Sequence, residues 1–140
     1  MDIKTCIEKR FFVKAAPDQE LSEKELNESV YDFESAKKAF KEEDYKLCII
    51  KCYYSMFHAA KSLLYRFGYV EKKHVAVVVV LEELNKEGKI ESRQIVNFKA
   101  AMSAREDADY HYVYDKDAAE HDLDMCGDFF ISVSEALEKV

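Results

Sequence analysis

The sequence predicts an all-α protein, an antiparallel bundle of four to five helices. Three observations predict it. Backbone punctuation is scarce: one proline, Pro17, and three glycines, at 68, 88 and 127, in 140 residues, fewer than the tight turns of a sandwich or barrel need. Apolar residues recur at spacings of three, four and seven along most of the chain, the period of helices that bury one face. Helix-start and helix-stop residues divide that pattern into segments with short connections, the mark of antiparallel neighbours.

Residues 1–17 form an N-terminal arm or a short helix, with Cys6, Ile7, Phe11, Phe12 and Val13 ended by Pro17, and 18–140 form the bundle domain. From about Leu21 the stripe Leu26, Val30, Phe33 and Phe40 predicts a helix that stops at Glu42-Glu43-Asp44. Asp44 can cap the next helix, about 45 to 67. That helix carries two adjoining apolar stripes, one through Ile50, Tyr54 and Phe57 and one through Ile49, Tyr53 and Met56. It is therefore central and packed by several neighbours, with apolar surface to spare for a second copy of the chain. Gly68 stands just past its end.

Val75 to Val80 has the composition of a strand, but Leu81 to Gly88 runs as a helix to a glycine stop, and a lone strand would have no partner. The segment from His74 to Lys86 is thus predicted as a helix buried nearly all round. Ser92 can cap a helix carrying Ile95, Phe98, Met102 and Arg105 to about residue 110. Asp117 and Glu120 resemble a capping box for the last helix, whose stripe is Ala119, Leu123, Cys126, Phe130, Val133 and Leu137.

The net charge is −7, the wrong sign for a protein that coats duplex nucleic acid along its length, although a local basic groove is compatible with it. The longest apolar stretch, Val75 to Leu81, falls far short of the about 20 residues a membrane crossing needs, so no membrane role is expected. The N-terminus shows no apolar signal core. Four cysteines (Cys6, Cys48, Cys52, Cys126) are too few for a disulfide scaffold. Cys48 and Cys52 lack a second ligand pair, so buried thiols, no metal, no cofactor and a reducing cytoplasm are expected.

Two groups of residues can carry chemistry. The central helix has a polar strip, Lys51, Ser55, His58, Ser62 and Arg66, at steps of four, three, four and four. It is either solvated or lines a cleft, and as a cleft it is the candidate surface for RNA or a nucleotide. His58 is the titratable group on it. His74 and His121 read as an exposed helix-start residue and a residue of an acidic first turn.

The second group is Arg105-Glu106-Asp107-Ala108-Asp109-Tyr110-His111-Tyr112-Val113-Tyr114. An arginine can clamp a phosphate and a histidine can move a proton near neutral pH. Together they suffice for metal-free RNA cleavage, with the imidazole assisting the ribose 2′-hydroxyl or the leaving oxygen and the guanidinium stabilising charge on phosphorus. Residues six apart on a helix are rotated by about 240° and do not share a face. Arg105 and His111 therefore cooperate only if the helix ends between them or if a symmetric copy supplies one of them. Otherwise Arg105 faces Asp109 as a surface pair.

The stretch Lys51-Cys52-Tyr53-Tyr54-Ser55-Met56-Phe57-His58-Ala59-Ala60-Lys61-Ser62-Leu63-Leu64 resembles the signature helix of the HEPN superfamily (higher eukaryotes and prokaryotes nucleotide-binding), in its small prokaryotic branch. Ser35-Ala36-Lys37-Lys38-Ala39, His74 and Arg105-Glu106-Asp107-Ala108-Asp109-Tyr110 extend the resemblance over about residues 20 to 138. It implies a helical bundle that forms homodimers. It also implies a metal-independent endoribonuclease of toxin type, encoded beside a nucleotidyltransferase antitoxin, with its cleft assembled across the dimer. The superfamily motif is arginine, a polar residue, then histidine after four to six intervening positions; Arg105, Glu106 and His111 match it with five. Some such toxins are modified by their partner on a tyrosine two after the histidine; Val113 holds that position here, flanked by Tyr112 and Tyr114.

Two functions follow: an RNA-cleaving, toxin-like enzyme using Arg105 and His111, or a non-catalytic module that binds a nucleotide or a nucleotidyltransferase partner. In a third, structural reading, Lys51, Lys61, Arg66, Lys72 and Lys73 only keep a dimer in solution.

Overall fold

The computed structural model describes residues 2–139. In chain order these form α1 (Ile3–Glu8), β1 (Phe12–Lys14), α2 (Gln19–Lys41), α3 (Tyr45–Arg66), β2 (Tyr69–Glu71), α4 (His74–Lys86), α5 (Ser92–Tyr110) and α6 (Lys116–Glu138). The all-α expectation holds: five long helices build the molecule, and α3 touches α2, α4, α5, α6 and β2. The valine-rich segment is helical, as its glycine stop indicated, with Ala76, Val77, Val79, Val80, Leu81 and Leu84 buried. No helix among the described residues is long and apolar enough to cross a membrane.

The N-terminal arm is both of the things its composition allowed. Asp2 caps α1 by accepting from the Thr5 N–H at 2.8 Å, and Phe12–Lys14 then pairs antiparallel with Tyr69–Glu71. The sequence pattern predicts no strand at either place, because three residues are too few for an alternation to register. Phe12 is buried with its ring 5.5 Å from that of Tyr69. Asp44 caps α3 as expected, but two other caps differ. Asp115, not Asp117, caps α6 by accepting from the Ala118 N–H at 2.8 Å. Glu91 precedes α5, and the Ser92 hydroxyl instead meets the Asn85 amide at 3.1 Å.

The α2–α3 seam overturns the expected stripe on α2. Val30 is 42% exposed and Leu26, Phe33 and Phe40 only flank the contact, while Ser22, Ser29, Asp32, Ala36 and Ala39 are buried. The polar strip on α3 is likewise neither solvated nor a cleft at its serines, since Ser55 and Ser62 are fully buried against α2. Small side chains let the two backbones approach until hydroxyls reach across. Ser29 Oγ donates to the Ser55 carbonyl at 2.7 Å, Ser55 Oγ donates to the Ser29 carbonyl at 2.8 Å, and Ser22 Oγ donates to the Ser62 carbonyl at 2.7 Å. Crossing points seven residues apart on each helix keep one narrow face in register.

The apolar surplus expected on α3 is covered within the chain, leaving only Leu47 of its large apolar residues substantially bare. On α6 the buried stripe runs through Asp122, Cys126, Phe129 and Val133, so Phe129 takes the core position expected for Phe130.

Gly68 joins arm to bundle. Its φ of 84° lies in the left-handed region, its carbonyl accepts from the Ala15 N–H at 2.8 Å, and a Cβ there would collide with the Ala15 carbonyl oxygen. Gly68→Ala is expected to destabilise the protein by about 2 kcal/mol or more in chemical denaturation. It should also raise hydrogen exchange at Ala15 and Lys14 before the rest of the bundle.

Candidate functional site

Arg105 stands on the inward side of α5, where α3, α4 and α5 leave a cleft of about 590 Å³. Its guanidinium carbon lies 5.6 Å from the centre of the buried Tyr53 ring, within cation–π range. Its Nε is 3.1 Å from Asp109 Oδ2, the pairing that helical spacing predicts. Tyr53 lies within the protein; burial pushes its phenol up and the Arg105 charge partly opposes this. Val75 and Val78 of α4 and Met102 and Tyr110 of α5 form further walls.

His111 takes a different direction. Helix α5 ends at Tyr110, and His111 is its C-cap with a largely exposed side chain. Its Nδ1 lies 3.0 Å from Asp107 Oδ1. Asp107 also accepts from two backbone donors, the N–H of His111 at 2.9 Å and that of Val113 at 3.1 Å. His111 is not part of the cleft wall. One protomer therefore does not bring Arg105 and His111 together: the helix does end between them, yet each is held by its own carboxylate one turn away. Tyr112 follows with φ 58°, a left-handed conformation unusual for a tyrosine, and is exposed. Tyr114 is half-exposed under the Lys46 ammonium, 5.8 Å from its ring centre.

The strip on α3 disperses. Ser55 and Ser62 spend their hydroxyls inside the α2–α3 seam, Ser62 donating to the Ala59 carbonyl at 2.6 Å. Arg66 lies at the far end of the helix, where its Nη1 reaches the Leu137 carbonyl at 3.4 Å. Lys51 and His58 belong to an ionic row beside the seam. Lys51 Nζ is 3.5 Å from Asp32 Oδ1, and His58 Nδ1 is 2.6 Å from Glu25 Oε2 with Nε2 3.7 Å from Asp32 Oδ2. Lys61 closes the row, 3.5 Å from Glu25 and 3.3 Å from Glu71 of β2. Glu25 and Asp32 were not anticipated; their seven-residue spacing, matching that of Lys51 and His58, is the signal that finds them.

This row holds three carboxylates against two ammonium groups, so a protonated His58 evens the charge. The Glu25 hydrogen bond pushes the His58 pKa up, with burial opposing and the Glu25 and Asp32 charges adding to the rise. Burial alone would raise the Glu25 pKa, but the hydrogen bond from His58 and the Lys61 charge hold it below its usual value. Among the described residues no group of three His, Cys, Asp or Glu side chains is placed to hold a metal ion. All four cysteines are buried, and Cys126 Sγ donates to the Cys52 carbonyl at 3.7 Å.

Asp122 is the other unusual titratable group. It is 3% exposed, its Oδ2 has no hydrogen-bond partner, and burial raises its pKa from 3.8 to about 7.

The His58 contribution to stability is complete below its ordinary pKa of 6.5 and is lost as pH rises through its higher folded value. That of Glu25 is complete above 4.5 and lost as pH falls through its lower folded value. The pair is therefore strongest between pH 4.5 and 6.5. His58→Gln should cost about 1–2 kcal/mol at pH 6 in urea denaturation and less at pH 9. For Asp122 the ionisation penalty is absent below pH 3.8, grows above it and is complete above about pH 7. Asp122→Asn should therefore stabilise by roughly 2 kcal/mol at pH 8 and by little at pH 4, measured in the same way.

The family model described as HEPN domain matches residues 22–139, from the first turn of α2 to just past the end of α6. A UPF0332 protein of Archaeoglobus fulgidus is 32% identical over 77 residues. That alignment takes in 55% of this chain and 62% of the relative. The matched family region includes α3 with its signature stretch and α5 with Arg105, the same segments that carried the resemblance in the sequence. The chain belongs to the HEPN domain family.

Proposed function

We propose that this protein is a metal-independent endoribonuclease of toxin type that works as a homodimer and pairs with a nucleotidyltransferase antitoxin. The observation that carries the proposal is the exit of α5: Arg105 faces a cleft, and one turn later the helix stops and leaves His111 on the surface. A two-fold copy that brings its His111 to this cleft supplies what one chain lacks. Apolar side chains bare at the cleft and at the exit of α5 favour such a copy: Val75 and Tyr110 line the cleft, and Tyr112 and Val113 follow the helix end.

In the assembled site the imidazole takes the proton of the ribose 2′-hydroxyl as its oxygen attacks phosphorus, the P–O5′ bond breaks, and the 5′-oxygen takes a proton from solvent water, to which the imidazolium later returns its own. The products are a 2′,3′-cyclic phosphate and a 5′-hydroxyl end. The guanidinium stabilises the charge that builds on the phosphoryl oxygens, which requires it to exchange Asp109 for the substrate. Exposed Tyr112, and less so Tyr114, are the hydroxyls open to nucleotide modification by the partner.

A second reading has one specific observation behind it: in a single chain both candidate groups already have a carboxylate partner, Arg105 in Asp109 and His111 in Asp107. On that reading the protein is a non-catalytic module that binds a nucleotide or a nucleotidyltransferase partner, and it should copurify with that partner or gain thermal stability from nucleotides.

The test is incubation of the purified protein with cellular RNA in chelator. Cutting should persist, and should fall by about a hundredfold or more in Arg105→Ala and in His111→Ala. Mixing the two inactive variants should restore up to about a quarter of the activity, since half of the sites in a mixed dimer then hold both groups. Equal background in wild type and variants, or sedimentation as a 16.3 kDa monomer at micromolar concentration, contradicts the proposal.

A further inference from the structure

We infer that the cleft beside Arg105 is a nucleobase subsite that selects bases carrying an exocyclic amine. The identity of the ligand as RNA rests on the ribonuclease reading; the selectivity rests on the charges and walls of the cleft itself.

The cations at this cleft are already matched. Lys99 Nζ lies 2.9 Å from Glu82 Oε1, and Arg105 is paired with Asp109. Among the described residues Glu106, also on the cleft wall, has no ion-pair partner. Away from Arg105 the cleft is thus apolar and aromatic with one uncompensated carboxylate, a good receptacle for a flat neutral ring that offers hydrogen-bond donors.

The walls suit such a ring. Val75, Val78 and Met102 supply an apolar side and Tyr110 stands exposed at the rim. Below them the Arg105 guanidinium rests on the Tyr53 ring, 5.6 Å from its centre. Unstacked bases bind to proteins by stacking on tyrosine rings and on guanidinium planes. The cleft is open to solvent on one side, and its volume of about 590 Å³ leaves room for a base. A backbone phosphate beside the seated base then falls near Arg105, the one group that both stacks and carries charge.

Discrimination follows from the carboxylate. It accepts a hydrogen bond from the N4 amine of cytosine, whereas uracil presents a carbonyl oxygen at the same place and meets the carboxylate lone pairs. Cytidine and uridine are alike in size and in stacking, so the pair isolates this one contact.

The experiment is titration of the full chain with cytidine and with uridine, nucleosides that carry no phosphate, followed by NMR shifts of the Tyr110 and Glu106 amides. Cytidine should bind at least about fivefold more tightly than uridine. Glu106→Gln, whose amide can donate to a carbonyl, should erase or reverse that preference. Tyr110→Ala should weaken both nucleosides by at least about fivefold without changing their ratio. Equal binding of the two nucleosides, binding of neither, or an unchanged ratio in Glu106→Gln overturns the inference. If RNA is cut but the nucleosides are not discriminated, the base subsite fails and the ribonuclease reading stands. If cytidine is selected but RNA is never cut, the ribonuclease reading fails and a base-selective cleft remains.

Discussion

The close approach of α2 and α3 is the constraint on which the rest of the structure depends. Reciprocal serine hydroxyl-to-carbonyl bonds between Ser29 and Ser55 cross a contact with room for little else. Ser22, Ser62, Ala36, Ala39, Cys48 and Ala59 keep it narrow on the two helices. A larger side chain at any of these points has to push two long helices apart, because buried packing has no slack to absorb it. Beside this narrow row runs the ionic one, from Lys51 and Asp32 through His58 and Glu25 to Lys61 and Glu71. The first row sets the distance between the helices, and the two rows share one register.

With α2 fixed on one side of α3, the opposite side is free to take the aromatic residues that build the cleft. Tyr53 lies between Tyr54, Phe57 and Phe98, and Phe98 continues to Phe129 of α6. Helix α5 is thereby pinned through Phe98, and through Gln94 and Asn97, whose side-chain amides donate to Asp128 of α6. Arg105 is placed two turns further along a helix already held by its neighbours. The site's geometry is inherited from the core rather than from a flexible loop.

Much of the architecture was legible because helices announce themselves over long windows. Gly68, Gly88 and Asp44 stand at the ends where their backbone chemistry puts them. What hydropathy could not show was the character of the tightest contact. It assigns Ser22, Ser29, Ser55, Asp32 and Asp122 to the surface, and all five are buried. Their spacing was visible, but spacing alone does not say whether a polar row faces water or another helix. The strip on α3 illustrates this: its serines belong to the seam, its lysine and histidine to the ionic row, and Arg66 to the far end of the helix. The Arg105 to Asp109 pairing was legible from a four-residue interval, and so was the obstacle to Arg105 meeting His111 within one helix. The cleft was not, since its opposite wall comes from Val75 and Val78, remote in the chain and brought there only by tertiary packing.

Asp107 gathers three bonds at the end of α5: its carbonyl oxygen takes the N–H groups of His111 and Val113, and its carboxylate takes the His111 ring. One residue thus fixes both, its side chain the aim of an imidazole and its backbone carbonyl the path of the chain that carries Tyr112 and Tyr114 away from the helix. The ring of His111 and the first residues of the exit chain are thereby fastened at one point. Whatever unwinds that final turn re-aims the His111 ring in the same motion.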